Sequence, residues 1–506
     1  MSKNIPLPGF FLIFAKYMLF KPPFFSLNCI FKDINLRYKV LRGLFKPQKA
    51  SNSLKLNIIG GGLAGCEAAW QALNLGISVD LYEMRPKVQT EAHKTGGLAE
   101  LVCSNSLKSL RPDSAPGLLK DCMSAFNSLI LLSAKHAQVP AGQALAVERE
   151  IMSKFVEEKL NEFKNFKRID KEITAIPEEA ELEANNECWI VASGPLTSST
   201  LANELSKLSG DDRLFFYDAI APVIATESID MDHAFRQSRY DNEDSGDGDY
   251  INLPLNKEQY EVFITEVANA EYMPLHKFEE TKYFESCLPI EVMVERGRET
   301  LRFGPMKPVG LTNPVTGHRP WGNIQLRQEN KEGTMFSMVG FQTKMKWPEQ
   351  KRVFSLIPAL ANAEFYRYGS VHRNTYFQSP KTLNKDFSFK VNSRVFLAGQ
   401  LTGVEGYSES SAMGIIASRC ASAKLQGTTF TLPPKGSMIG ALADYVINGG
   451  LTKFSPMNTN MGLLPSIQKQ RGVSKSDRKA QQCENSRAVF KEYFSSVFGS
   501  TLRNTY

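Results

Sequence analysis

The sequence predicts an α/β protein, a Rossmann-like dinucleotide-binding domain with an inserted α/β domain. Three observations predict it: a glycine-rich turn between an apolar run and a helical pattern near residue 60, an acidic residue closing the next apolar run, and a second strand–glycine loop–helix pattern near residue 399. Lys55–Ile59 reads as a short buried strand and leads into Gly60-Gly61-Gly62-Leu63-Ala64-Gly65. The residues that follow are helical by type and by the spacing of Ala68, Ala69, Ala72 and Leu73, and Gly76 closes the helix. Residues 77–82 read as the next strand, with Glu83 at its end.

Each part of this pattern has a physical reason. Gly60 permits the tight turn, Gly62 lets a pyrophosphate approach the backbone, and Gly65 lets the helix pack close on the strand. The helix start, with Leu63 and Ala64, turns unpaired N–H groups and the positive end of a dipole toward the phosphates. Glu83, 18 positions beyond Gly65, stands where a carboxylate accepts hydrogen bonds from a ribose, and its charge disfavours a 2′-phosphate. FAD or NAD is therefore expected rather than NADP. The later segment separates the two. Residues 394–397 read as a strand, then come Ala398-Gly399-Gln400-Leu401-Thr402-Gly403-Val404-Glu405-Gly406-Tyr407 and a helix. A late strand and glycine loop returning to the first site is how two-part FAD domains close, which makes Gly399, Gly403 and Glu405 candidate FAD contacts. An ordinary αβ turn is the alternative.

The chain has 506 residues, 42% hydrophobic and 22% charged, which excludes disordered, collagen-like and coiled-coil classes. Eight cysteines are too sparse for a disulfide scaffold, and no C-x-x-C or Cys/His cluster points to a metal. The net charge of +7 is local: residues 1–50 hold nine Lys and Arg against Asp33 alone, leaving −1 on the remainder. The basic isoelectric point is therefore no evidence that the body binds nucleic acid. Residues 1–50 are Phe-rich, and their apolar run is broken at Lys16, too short for the ~20 residues that span a bilayer. They read as an extension, a transit peptide or a membrane anchor. No later segment is long and apolar enough to span. The expectation is a cytoplasmic protein without stable membrane association, or an organellar one if the extension is a transit peptide. The oligomeric state is not legible.

Several longer motifs are more specific. Glu83-Met84-Arg85-Pro86, Glu100-Leu101-Val102-Cys103-Ser104-Asn105-Ser106, Cys287-Leu288-Pro289-Ile290-Glu291, Arg302-Phe303-Gly304-Pro305-Met306-Lys307-Pro308 and the 399–407 loop resemble the bacterial folate- and FAD-dependent tRNA (uracil-54-C5)-methyltransferases, the TrmFO family related to GidA/MnmG. The resemblance runs from about residue 55 to about 490. It implies FAD as cofactor, methylenetetrahydrofolate as carbon donor, NAD(P)H as reductant and tRNA as partner. It also implies a discontinuous FAD domain, 54–204 and 351–506, around an inserted domain, 205–350. The larger relatives that modify the wobble uridine carry a long C-terminal helical domain, whereas only a basic, helical tail follows residue 465 here.

C5 of uracil is a poor nucleophile until a thiolate adds to C6, and the adduct must later lose its C5 proton to a base. Cys287 precedes a helical pattern opened by Pro289 and closed by Gly297, where a helix dipole lowers a thiol pKa. By residue type alone a buried, inert cysteine is the alternative; the resemblance implies that Cys287 is the nucleophile and Cys103 its partner in C5 proton removal. Candidate RNA contacts are Arg296, Arg298, Arg302, Lys307, Lys344, Lys346, Arg352, Arg367 and Arg373, with salt-bridged surface as the alternative for each. Phe303, Trp321, Phe341 and Tyr407 are candidate stacking residues. The acidic run 241–249 resembles a calcium loop but lacks its terminal glutamate, and reads as a solvated turn. A flavin oxidoreductase acting on a small molecule and a non-catalytic FAD-containing tRNA-binding protein remain as alternative functions.

Overall fold

The computed structural model describes residues 54–90, 92–209, 214–239, 248–273, 288–449, 454–467 and 474–499. The extension 1–50, most of the acidic run 241–249 and Cys287 lie outside the described residues.

Lys55–Ile59 is the pivot of a six-stranded sheet, ordered Ser388–Phe389, Asn392–Leu397, Glu187–Val191, Lys55–Ile59, Ser78–Glu83, Phe166–Asp170. All neighbours are parallel except the first pair. Leu56 and Ile58 are fully buried, as a parallel strand covered on both faces requires. The chain leaves this strand to pair on one side with Ser78–Glu83 and later returns to its other side with Glu187–Val191. That reversal of strand order opens a crevice at the carboxyl ends of the strands.

Two helices lie against each other over this sheet, Leu63–Asn74 and Tyr407–Leu425. Small residues let their backbones meet. A Cβ on Gly414 would lie 2.4 Å from the Ala64 carbonyl oxygen, and Ser418 donates to the Ala68 carbonyl at 2.7 Å. The second helix begins at Tyr407, directly after the glycine loop. Buried Glu67 projects from the first helix and caps a third, Leu129–His136, accepting from the amides of Leu129 and Ile130 and from the Ser128 hydroxyl. The tail is helical over Lys475–Phe498; Phe490, Phe494 and Phe498 pack edge-on around Phe126.

A second sheet is antiparallel throughout, ordered Phe235–Arg236, Tyr250–Leu255, Gly322–Gln328, Met335–Met338, Val223–Ala225, Phe365–Arg367. Helix Lys257–Asn269, with an Asn256/Gln259 capping box, covers it through Tyr260, Phe263 and Ile264. The same core takes in Val353, Phe354, Ile357 and Leu360. The expected boundary at 350 therefore falls inside this unit, because helix Trp347–Phe354 buries its apolar side here and Phe365–Arg367 is an edge strand of its sheet. The chain enters and leaves the unit along one antiparallel ribbon, Leu214–Ile220 paired with Ser370–Tyr376. Among the described residues no helix is long and apolar enough to cross a membrane.

Candidate active site

The turn after Lys55–Ile59 is fixed by backbone contacts. Gly60 has φ +105°, and a Cβ there would sit 2.5 Å from the Ala192 carbonyl oxygen. The Gly61 amide donates to Glu83 Oε2 at 2.8 Å. A Cβ on Gly65 would lie 1.9 Å from the Gly60 carbonyl oxygen, so only glycine lets the helix start this close to the strand. Gly62 differs: a Cβ there would meet nothing within 4 Å. Its bareness serves no protein contact and leaves room for a ligand. Gly62 is also the N-cap of Leu63–Asn74, without a side-chain cap and with no acid in the first turn. Uncapped amides facing open space fit a pyrophosphate.

The cleft above this turn encloses about 990 Å³, part of it open to solvent. Gly60, Gly62, Leu63, Ala64, Glu83 and Gly399 line it. Gly61 and Gly65 stand behind the wall, as hydrogen-bond donor and packing site respectively. Gly403 and Glu405 also stand outside the lining. Gly403 takes φ +84° with its α-carbon turned against the Phe454 ring, and Glu405 is buried with its amide donating to the Met457 carbonyl. Both shape the loop that carries Gly399 and Gln400 to the cleft. Past that loop, fully buried Glu409 pairs with Lys108 at 2.7 Å and accepts from Thr459.

Glu83 is 4% exposed and accepts from the Gly61 amide, the Arg85 amide and Arg85 Nε. Burial pushes its carboxyl up, but the hydrogen bonds and charge of Arg85 win and hold it below the usual carboxylate range. With Oε1 accepting twice and Oε2 once, the ionised carboxylate keeps one lone pair, on Oε2, for a ribose hydroxyl. Arg85 also reaches Glu100 and the carbonyls of Thr95 and Gly97, which stitches residues 94–100 to the cleft edge. Arg85→Ala is expected to cost about 3 kcal/mol at neutral pH, the range for breaking a buried ion pair. Glu83 has a depressed folded pKa, so its contribution is present above its unfolded pKa of about 4.3 and is lost as pH falls through the folded value. Urea unfolding should show the gap between wild type and variant narrowing below about pH 4. An equal gap at pH 7 and in acid would show that the ion pair is not its source.

Among the described cysteines, Cys103 alone is half-buried; the others are buried. Burial pushes the thiols of Cys122 and Cys188 up to about 12 and raises that of Cys66, so these three remain protonated at neutral pH. The Cys103 amide donates to Tyr407 Oη at 2.8 Å, and Tyr407 and Val102 both line the cleft. The Cys103 carbonyl accepts from Arg149 at 3.3 Å and from Arg367 at 3.2 Å. Cys103 thus follows cleft-lining Val102, with its backbone held by Tyr407 and two arginines. Cys287 immediately precedes the described residues 288 and 289 and helix Ile290–Arg296. Buried Glu291 in that helix accepts from Thr343 Oγ1 and the Lys344 amide. Among the described residues no group of acids, histidines and cysteines could hold a metal ion.

Most of the basic residues expected to meet RNA are ion-paired instead. Arg298 pairs with Glu261, Arg352 with Glu266 and Glu349, Lys344 with Glu295, and Lys346 with Glu271. Arg302 pairs with Glu299 and lies 3.9 Å over the Trp321 ring, which removes that ring as a free stacking face. Phe341 is a core residue, whereas Phe303 is 77% exposed. The Arg373 side chain lies outside the described residues. Arg149 and Arg327, which converge on the Cys103 loop, were missed. Arg327 lies in the wholly buried strand Gly322–Gln328, and no local pattern in the polar sequence of that strand marks it.

Residues 55–429 match the family described as Glucose inhibited division protein A. In solved structures the fold is similar to that of Aquifex aeolicus GidA, form II crystal, with TM-score 0.61 and 14% identity over 88% of this chain and 74% of that one. The form I crystal gives TM-score 0.61 and 15% identity over 88% and 78%. Curated proteins named methylenetetrahydrofolate--tRNA-(uracil-5-)-methyltransferase TrmFO are much nearer in sequence. That of Natranaerobius thermophilus is 49% identical over 87% of this chain and 99% of its own length. That of Syntrophus aciditrophicus is 50% identical over 82% and 92%, and that of Geobacter sulfurreducens 47% over 87% and 99%. With half-identical relatives matched along nearly their full length, the chain belongs to the TrmFO family within the wider GidA group.

Proposed function

We propose that this protein methylates C5 of uridine 54 in the T loop of tRNA, with methylenetetrahydrofolate as carbon donor and FAD as bound cofactor. The observation that carries the reading is a half-buried cysteine, Cys103, next in sequence to cleft-lining Val102, beside a cleft whose glycine turn has uncapped amides and open space for a dinucleotide, in a chain of this family. The Gly60–Gly62 turn and the amides of Leu63 and Ala64 would hold the pyrophosphate, Glu83 the ribose, and the Gly399 loop the flavin end. Reduced FAD, refilled by NAD(P)H, supplies the two electrons that take the transferred carbon to the methyl level.

The chain's own groups then divide the remaining work. A thiolate, assigned to Cys287, bonds to C6 of the uracil and pushes the ring's electron pair toward C5, which forms its new bond to the one-carbon unit as a carbon–nitrogen bond of the donor breaks and leaves its electron pair on the donor nitrogen; the carbon's other bond to nitrogen gives way in the reduction to the methyl level. The C5 proton leaves to a base, assigned to the Cys103 sulfur. The sulfur–C6 bond then breaks, and the electrons from the C5–H bond restore the ring double bond. Tyr407 holds the Cys103 loop at the rim through the amide. The curated relatives compared are bacterial, which favours a cytoplasmic reaction over an organellar one.

The test is direct. Flavin-loaded protein given unmodified tRNA, methylenetetrahydrofolate and NADH is expected to produce 5-methyluridine at position 54 and none in a transcript carrying cytidine there. NADH consumption independent of tRNA, with no modified nucleoside, would indicate a small-molecule oxidoreductase instead.

A further inference from the structure

Three guanidinium groups from distant parts of the chain converge beside Cys103. Arg149 contacts the Cys103 carbonyl and pairs with Glu329 at 3.1 Å. Arg367 donates through Nη1 to the Val102 carbonyl and through Nη2 to the Cys103 carbonyl. Arg327, 8% exposed, donates from Nε to Asn105 Oδ1 at 2.8 Å. Among the described residues Glu329 is the carboxylate paired with this group. The buried Nε atoms of Arg149 and Arg367 have no hydrogen-bond partner there. Burial and the neighbouring Arg149 charge push Arg367 down to about 10 and lower Arg327 as well. Buried cations in excess of their counter-ions are costly unless something else completes them.

We infer that Arg149, Arg327 and Arg367 form a binding site for a backbone phosphate of the RNA, the one that flanks the uridine delivered to the cleft. The inference rests on the methyltransferase reading of the same cleft. Position supports it: Val102 lines the cleft, and the arginines hold Val102 and Cys103 by their carbonyls, so the site stands at the rim. A base that enters a pocket leaves its phosphate at the mouth, and flipped nucleotides need such an anchor. Chemistry supports it too. Converging guanidinium forks suit the two charged non-bridging oxygens of a phosphodiester, which together accept from several donors.

The experiment compares wild-type holoenzyme with Arg149→Gln. Binding of an unmodified tRNA transcript is expected to weaken about 10-fold, and the slope of log affinity against log salt to flatten by about one. Tetrahydrofolate affinity should stay within about twofold. Melting of the RNA-free variant is measured beside it, because losing Arg149 also breaks its pair with Glu329. Arg149→Lys, which keeps the charge but not the fork, should recover part of the tRNA affinity. Unchanged tRNA affinity and salt slope would overturn the site. So would a loss confined to tetrahydrofolate, which would assign the arginines to a carboxylate, or a lowered melting temperature with tRNA affinity intact, which would make them structural. Should Arg149→Gln not fold, Arg367→Gln carries the same comparison. Wild type assayed alongside keeps the two ideas apart. If it forms no 5-methyluridine, the methyltransferase reading fails; if it does and Arg149→Gln binds tRNA as tightly, only the phosphate site fails.

Discussion

Gly65→Ala is expected to yield a protein that no longer holds flavin and melts on the order of 10 °C lower. The new methyl would lie 1.9 Å from the Gly60 carbonyl oxygen. Overpacking costs about 1–3 kcal/mol when side chains can yield, and more when the obstruction is backbone. Each kilocalorie lowers the melting temperature of a domain of this size by about 2–4 °C. The glycine turn must open to relieve the clash, and opening it misaligns the amides that would meet the pyrophosphate. Gly62→Ala is the control. Its methyl meets nothing within 4 Å, so melting of the flavin-free protein should stay near wild type while flavin affinity falls. The comparison is made on flavin-free protein, where ligand stabilisation cannot blur it. Retention of flavin by Gly65→Ala, or equal melting of the two variants, would contradict this account of the turn.

Cys287→Ala is expected to lower methylation at least about 10³-fold while the protein stays yellow and binds tRNA, because losing a nucleophile removes a bond-forming step and not a binding contact. Cys103→Ala should also lose methylation, but at a different stage. With Cys287 intact, a covalent complex with tRNA should accumulate if Cys103 removes the C5 proton, since the sulfur–C6 bond cannot break until that proton has gone. Denaturing gels of each variant incubated with tRNA and folate donor distinguish the two. A band shift in Cys287→Ala, or methylation at the wild-type rate, would remove Cys287 from the nucleophile's role.

The first half of the site was legible because it is local. Gly60, Gly62, Gly65 and Glu83 lie within two dozen positions, and strand, turn and helix geometry leave them few arrangements. The late loop was legible only in outline. A glycine that serves a cofactor and one that serves a left-handed turn look alike in sequence, so Gly399 reached the cleft while Gly403 met Phe454 instead. The boundary at 350 was misplaced because charged positions in Trp347–Phe354 disguise a helix that buries Val353 and Phe354 in the second core. The arginines were hardest to read. Whether a guanidinium is neutralised depends on partners far along the chain, such as Glu266 for Arg352, and no local pattern brings Arg149 beside Arg327 and Arg367.

The ribbon of Leu214–Ile220 and Ser370–Tyr376 constrains mechanics as well as topology. Both covalent crossings between the two units are zipped together in continuous register, from Ser370 opposite Ile220 to Tyr376 opposite Leu214. Sliding one crossing past the other would break the whole ladder at once, whereas flexing the pair breaks none of it. The ribbon therefore resists sliding, and the contacts of Arg327 with Asn105, Arg149 with Glu329 and Arg367 with the Cys103 loop pin the inserted unit to the flavin unit at a second place.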